Sequence, residues 1–498
     1  MKKMKKILIL LVILVTFGSC DDGFEELNVN PTKPTQLSPS TKLTYIQLHT
    51  GGSNYVAYLF WNVIHLMQNV QHLNNTSYVS FLYKEGNTHW LFEEQFKTTA
   101  KNITDLEAQL ETSEAPTAAS DLAIARIQRV LIFSRITDVY GDIPYSEAGK
   151  GFLEGIRFPK YDKQSDIYAD MLATLESSAA TLGAGGTSSY GSADLLYGGD
   201  VVKWKKFANS LMLRLAMRMV KVDDDEAKAW ATKAITGGVM TSNADIAYTQ
   251  YENAANDGGP NVNPLTKCFT SRSSTQVKIS KTFMDFMKDR NDPRVSVLCS
   301  TTDGNTDPAL QFGQDINVAT RGVANSKPNI NIFGGSGTII YDAPFFFQTY
   351  AEVEFMLAEA AEHWGLAGGN VEVHYNTGVT AAMEYLAMYG HGVNITPTQI
   401  SDYLTANPFV AADALKMINE QYWVATFGNG LETFSNWKRS GYPVLVPANV
   451  ATILTGGEIP RRLPYPGSEK LNNPTNVAAA IAQQGGDLLT TRMWWDVN

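Results

Sequence analysis

The sequence predicts a mainly α protein with few short strands and long irregular loops. Three observations carry that reading. Apolar residues recur at helical spacing in segment after segment, strict apolar/polar alternation is scarce, and stretches rich in Gly, Asn, Ser, Thr and Pro separate the periodic segments. Between Leu122 and Val139, Ile124, Ile127 and Leu131 form one stripe, with Ile132, Ile136 and Val139 beside it. Ala208, Met212, Leu215 and Met219 form a second face, and Tyr350, Val353, Leu357, Ala360 and Trp364 a third. Leu415, Ile418, Tyr422 and Ala425 continue the pattern, and faces of this kind turn toward a core. The intervening stretches span 183–200, 252–276, 300–344 and 441–476. Irregular segments longer than about 15 residues inside a compact domain are usually functional or disordered. No clean repeat of about 34 residues is present.

The chain opens with Lys2, Lys3, Lys5 and Lys6, an apolar run from Ile7 to Val15, and Thr16-Phe17-Gly18-Ser19 ahead of Cys20. This pattern predicts a signal peptide over residues 1–19. The run is too short to span a bilayer as a helix, which takes about 20 apolar residues, and no later stretch approaches that length. Small residues directly before a cysteine resemble a lipobox, although Phe17 stands where leucine is usual, so Cys20 is expected to be acylated as the new N-terminus. An ordinary cysteine beyond a cleavage site at Ser19 is the weaker alternative. Residues 20–40, acidic at first and then punctuated by Pro31, Pro34 and Pro39, read as a tether, and residues 41–498 as a single domain. Only Cys268 and Cys299 remain inside it, so no disulfide framework holds the fold. Cleavage would remove four lysines and no acid, taking the net charge from −10 to −14. That balance argues against nucleic acid and anionic lipid as partners and leaves the anchor as the membrane contact.

The sequence lacks H-E-x-x-H, C-x-x-C, G-x-S-x-G and the phosphate-binding G-x-x-x-x-G-K-[ST]. No catalytic, metal or cofactor site is therefore expected. A carboxylate pair of glycosidase type cannot be read from spacing, because the two groups need only approach in space. Asp223-Asp224-Asp225-Glu226 precedes a periodic segment and reads as helix capping. Asp303, Asp307 and Asp315 lack calcium-loop spacing and read as solvated loop acids.

Several strings, in one order along the chain, resemble the SusD/RagB family and its SusD-like subgroup. They are Phe24-Glu25-Glu26-Leu27-Asn28-Val29-Asn30-Pro31, then Asp138-Val139-Tyr140-Gly141-Asp142-Ile143-Pro144-Tyr145, then Trp204 to Arg218, Asn291-Asp292-Pro293-Arg294 and Tyr350 to Ala360. The close adds Pro460-Arg461-Arg462-Leu463-Pro464-Tyr465-Pro466, Gly485-Gly486-Asp487 and Trp494-Trp495-Asp496. The resemblance implies tetratricopeptide-like helix pairs, a lipoprotein on the outer face of the outer membrane, and a SusC-like TonB-dependent porin as partner. It also implies that the chain binds a nutrient, a glycan above all, for uptake. Read from the residues themselves, these strings are scaffold. Arg214 and Arg218, four apart beside an apolar stripe, suit pairing with carboxylates.

A sugar presents apolar C–H faces and a rim of hydroxyls, so its site wants exposed aromatic rings flanked by Asn, Gln, Asp or Arg. Three loop segments have that mixture. The first, 72–90, offers Asn74, Asn75, Tyr78 and Tyr83; the second, 248–276, offers Tyr251 and Arg272; the third, 312–341, offers Phe312 and Tyr341. Core packing is the commoner fate of an aromatic side chain. A surface glycoside hydrolase and a helical scaffold that binds only protein are the competing functions, and a peptide remains a possible nutrient.

Overall fold

A computed structural model describes residues 37–52, 63, 65–72, 91–253, 261–270, 277–315, 325–334, 340–447 and 454–497. The signal segment and Cys20 lie outside them, as does the tether up to residue 36. Where the sequence runs apolar at helical spacing, the chain forms helices. In the first half these are α1 (Pro39–Thr50), α2 (Lys101–Glu111), α3 (Ala118–Tyr140), α4 (Gln164–Gly183), α5 (Val201–Arg218) and α6 (Asp224–Gly237). In the second half they are α7 (Lys281–Lys288), α8 (Tyr350–Trp364), α9 (Val371–Glu384), α10 (Pro397–Ala406), α11 (Ala414–Ala425), α12 (Gly430–Ser440) and α13 (Pro474–Gln483). Strands are short antiparallel pairs: β1 (Val70–His72) with β3 (Val277–Ile279), β2 (Ala247–Thr249) with β6 (Phe345–Gln348), and β4 (Cys299–Ser300) with β5 (Lys327–Pro328). Two-stranded pairs of this length are not stable alone, so helix packing carries the core.

Consecutive helices pack on one another: α2 on α3, α3 on α4, α4 on α5, α5 on α6, and α8 on α9. Helix α3 is central, and both stripes read from its sequence are fully buried. Each such aliphatic side chain contributes roughly 1.5–3 kcal/mol by leaving water. The helix ends at Gly141, whose φ of 79° suits a residue without a Cβ. Helix α8 opens with a capping box in which the Glu352 N–H donates to Thr349 Oγ1 at 3.2 Å and the Thr349 N–H to Glu352 Oε1 at 2.9 Å. Val353, Leu357 and Ala360 are buried as expected, whereas Tyr350 and Trp364 are only half-buried at the helix ends. The acidic run at 223–226 caps α6 as read, with Asp223 Oδ1 accepting from the Glu226 N–H at 3.1 Å.

The scaffold strings meet in buried ion pairs. Arg214 Nη2 donates to Glu352 Oε2 at 2.7 Å, and Arg218 Nη2 to Glu432 Oε1 at 2.6 Å. Arg218 Nε also lies 3.4 Å from Asp138 Oδ2, while the Tyr422 hydroxyl donates to Glu432 Oε1 at 2.6 Å. Asp138 further accepts from the Tyr168 hydroxyl and from Trp495 Nε1. Burial pushes the Glu432 carboxyl up, but Arg214 and Arg218 outweigh it and hold the group below its usual range. The other strings supply further pairs: Arg294 with Asp292, Arg439 with Glu359, Arg461 with Asp496 and Arg462 with Asp487. Charges taken out of water at this depth favour pairing and hydrogen bonding, and most of these pairs, though not that of Arg294 with Asp292, tie sequence-distant strings to one arrangement.

Candidate functional site

The three loop segments proposed for ligand binding share one anchor. Strands β1 and β3 pair with His72 opposite Val277, so the first segment leaves from the same end of the ladder at which the second segment finishes. The third joins them through β3: the Ile279 N–H donates to Ser326 O, and the Gln314 N–H to Ile279 O, both at 2.8 Å. Ser326 in turn donates its N–H to Phe312 O at 2.9 Å. The second segment is pinned to the third at its other end. There Glu252 and Asn261 close a loop through a 2.9 Å backbone bond, and the Asn263 N–H donates to Tyr341 O at 2.9 Å. The chain thus brings the start of the first segment, the end of the second and Phe312, Gln314 and Ser326 of the third together at the β1/β3 pair, while the start of the second and the end of the third meet beside the β2/β6 pair.

The individual residues divide. Asn74, Asn75, Tyr78, Tyr83 and Arg272 lie outside the described residues. Phe312 is exposed, at 53 % of its full surface, and Lys288 Nζ sits 5.0 Å from its ring centroid. Tyr251 and Tyr341 are corrected to core positions, being 2 % and 4 % exposed. The Tyr251 hydroxyl donates to Leu48 O in α1 at 3.4 Å, and Tyr341 is held by backbone bonds to Asn253 and Asn263, so neither ring offers a face to a sugar. Their polar sequence neighbours concealed this, because the two residues flank β2 and β6, strands far apart in sequence whose pairing brings both inside, with Tyr251 against α1.

Two groups that the sequence reading passed over stand at the anchor. Lys278 on β3 and Lys327 on β5 are 3 % and 4 % exposed. Burial, with Lys327 nearby, pushes the Lys278 ammonium down to about 8, and burial lowers Lys327 too. The signal was present as charge pattern: 258–284 holds Lys267, Arg272, Lys278 and Lys281 with no acid, and 316–341 holds Arg321 and Lys327 with none.

The described residues form open clefts with charged linings, among them two sizeable ones. One, of about 660 Å³, runs between α7 and α10 and is lined by Lys288, Arg290, Pro308, Asp402 and Tyr403. The other, of about 450 Å³, lies among α2, α3 and α4, where Arg129 stacks on Tyr145 at 4.2 Å. Burial there pushes the Glu107 carboxyl up to about 7 against the opposing charge of Arg129. Among the described residues, no three His, Cys, Asp or Glu side chains gather to hold a metal. No described helix is long and apolar enough to cross a membrane.

Residues 31–466 match the SusD-like family described as "Starch-binding associating with outer membrane". Among solved structures, a chitin-binding protein superposes with a TM-score of 0.83 at 31 % identity, over 93 % of this chain and 100 % of that one. A Bacteroidetes SusD-like protein, AC2a, gives 0.79 at 26 % identity, over 93 % and 100 %. A chitin-binding SusD homologue from Flavobacterium johnsoniae gives 0.74 at 25 %, over 92 % and 98 %. No curated protein sequence matches the chain. With one family spanning most of its length, and with that family's strings tied together in its buried ion pairs, the chain belongs to the SusD-like family of outer-membrane-associated proteins.

Proposed function

We propose that this chain binds a glycan at the cell surface, held there by lipid on Cys20, and passes it without cleavage to a TonB-dependent porin of the SusC type. The observation that carries the reading is the joining of three Asn- and aromatic-rich segments at one strand pair, in a chain whose family is described as starch-binding and whose solved relatives include chitin-binding proteins. The exposed ring of Phe312 supplies a stacking face at that place. Isothermal titration with chitohexaose and maltohexaose, followed by chromatography of the mixture, tests it. Heat without product is expected; silence to both, and to a wider oligosaccharide panel, sinks the glycan reading.

One observation favours the hydrolase reading: Glu107, with its carboxyl raised, shares an open cleft with Asp170. Product formation that Glu107→Gln abolishes would replace binding by hydrolysis as the function.

A further inference from the structure

The cleft between α7 and α10 has walls that are tied to each other beneath it. Just past α7, Arg294 is paired with Asp292 in the interior; its Nη2 donates to Gln421 Oε1 at 2.7 Å, and Gln421 Nε2 donates to the Tyr403 hydroxyl of α10 at 2.9 Å. Asn407, just past α10, donates its Nδ2 to Arg290 O at 3.0 Å. The cleft is therefore formed before any ligand arrives, which spares a ligand the cost of opening it. Its volume of about 660 Å³ lies within the range of about 300–1,000 Å³ usual for ligand pockets. The cations of the lining are engaged within the chain: Lys288 Nζ donates to Gln311 O at 2.9 Å, and Arg290 Nη1 donates to Phe286 O at 3.1 Å, with Nη2 3.5 Å from Glu420 Oε2. The side chains of Asn291 and Asp402 and the amide nitrogen of Gln399 are different. All three residues are exposed in the lining, and these groups make no hydrogen bond among the described residues. Pro308, Ala309 and Ala406 add exposed apolar surface to the same lining. Lys288 joins it to Phe312, because its ammonium also lies 5.0 Å from the centre of that exposed ring.

We infer that this cleft is a saccharide-binding site, in which about two or three consecutive sugar rings lie between α7 and α10 with Asp402, Asn291 and Gln399 as their hydroxyl partners. The inference rests on the glycan-binding reading and deepens it. A sugar presents hydroxyls that both donate and accept around its rim, and the free groups of the lining answer both: the Asp402 carboxylate accepts, the Gln399 amide nitrogen donates, and Asn291 does either. The apolar C–H faces of the rings meet Pro308, Ala309 and Ala406. A glycan stacked on Phe312 runs on past Lys288 into the cleft, so the ring and the cleft form one continuous surface.

The test is titration of the full mature chain in detergent with chitohexaose and maltohexaose, for the parent and three variants. Ala406→Trp, which fills the cleft from an exposed position, should weaken the better-bound sugar at least roughly tenfold. Asp402→Ala should weaken it severalfold by removing a charged acceptor. Both should melt within a degree or so of the parent, since both side chains are exposed. Ser401→Trp, exposed on the side of α10 away from the lining, should leave the affinity unchanged. If Ala406→Trp melts several degrees lower, Asp402→Ala decides. Parental affinity in either variant at unchanged melting temperature overturns the inference and leaves glycan binding standing. An equal loss in Ser401→Trp also overturns it, because the effect then does not come from the cleft. Silence of the parent to both sugars and to a wider oligosaccharide panel removes the inference together with the glycan reading.

Discussion

Replacing Arg218 by methionine tests whether the buried ion pairs hold the scaffold together. Arg218 is about 1 % exposed and faces two carboxylates, Glu432 at 2.6 Å and Asp138 at 3.4 Å. Methionine keeps most of the stem volume, so the change removes charge and hydrogen bonds rather than packing. Asp138 retains Tyr168 and Trp495, and Glu432 retains Tyr422 and Arg214, so neither is stranded. Breaking one partner of a buried pair costs on the order of 3–5 kcal/mol, and the surviving contacts place this case at the lower end, about 3 kcal/mol at pH 7. The pH dependence gives a second handle. Glu432 is depressed in the folded protein, so its stabilisation is present above the ordinary carboxylate range and is lost as pH falls through the folded value. Arg218 supplies part of that depression. The gap between parent and variant should therefore narrow from pH 7 to pH 4.5, where a less depressed Glu432 takes up its proton more readily in the variant. Equilibrium denaturation in urea at the two pH values measures both numbers. A variant within about 0.5 kcal/mol of the parent at pH 7, or a gap that widens on acidification, would refute the argument.

Three further outcomes are expected. Lys438 lies buried between Phe434 and Trp495, and burial pushes its ammonium down to about 7. The unfolded chain then binds more protons between about pH 7 and 10, so Lys438 favours folding increasingly as pH rises through that window. Against Lys438→Met, the parent should gain more than about 1.4 kcal/mol between pH 6.5 and 9.5 in urea titrations, one pK unit's worth, and a flat difference would count against it. Cys20→Ala should leave folding intact and release the protein from outer-membrane fractions; complete retention after a high-salt wash would exclude lipid as the sole anchor. Tyr78→Ala or Tyr83→Ala should weaken oligosaccharide binding severalfold with melting temperature nearly unchanged, since a stacking ring contributes on the order of 1 kcal/mol to a ligand and little to folding when it faces solvent. Loss of several degrees with affinity retained would assign both rings to the core.

What was legible in the sequence follows from how local each physical cause is. The stripes of α3 and α8 are set by residues three and four apart, so they could be read directly, and the acidic cap at Asp223 stands beside the helix it starts. The reading of Arg214 and Arg218 as paired residues succeeded in kind, because a cation next to an apolar stripe must find a carboxylate. Their partners could not be named, since Glu432 lies 214 residues beyond Arg218 and only the packing of α12 against α3 brings it near. Tyr251 and Tyr341 failed for the same reason. Polar neighbours in sequence say what precedes and follows a ring, not that β2 will pair with the distant β6 and carry both rings inside.

The same distinction separates scaffold from site. Most of the recognisable strings within the described residues contribute to buried ion pairs, and several of those pairs close only when distant segments have found their places, so the strings report a shared fold and carry no information about a ligand. Recognition depends instead on what the strand ladder gathers at its open end, where no such pairing constraint acts.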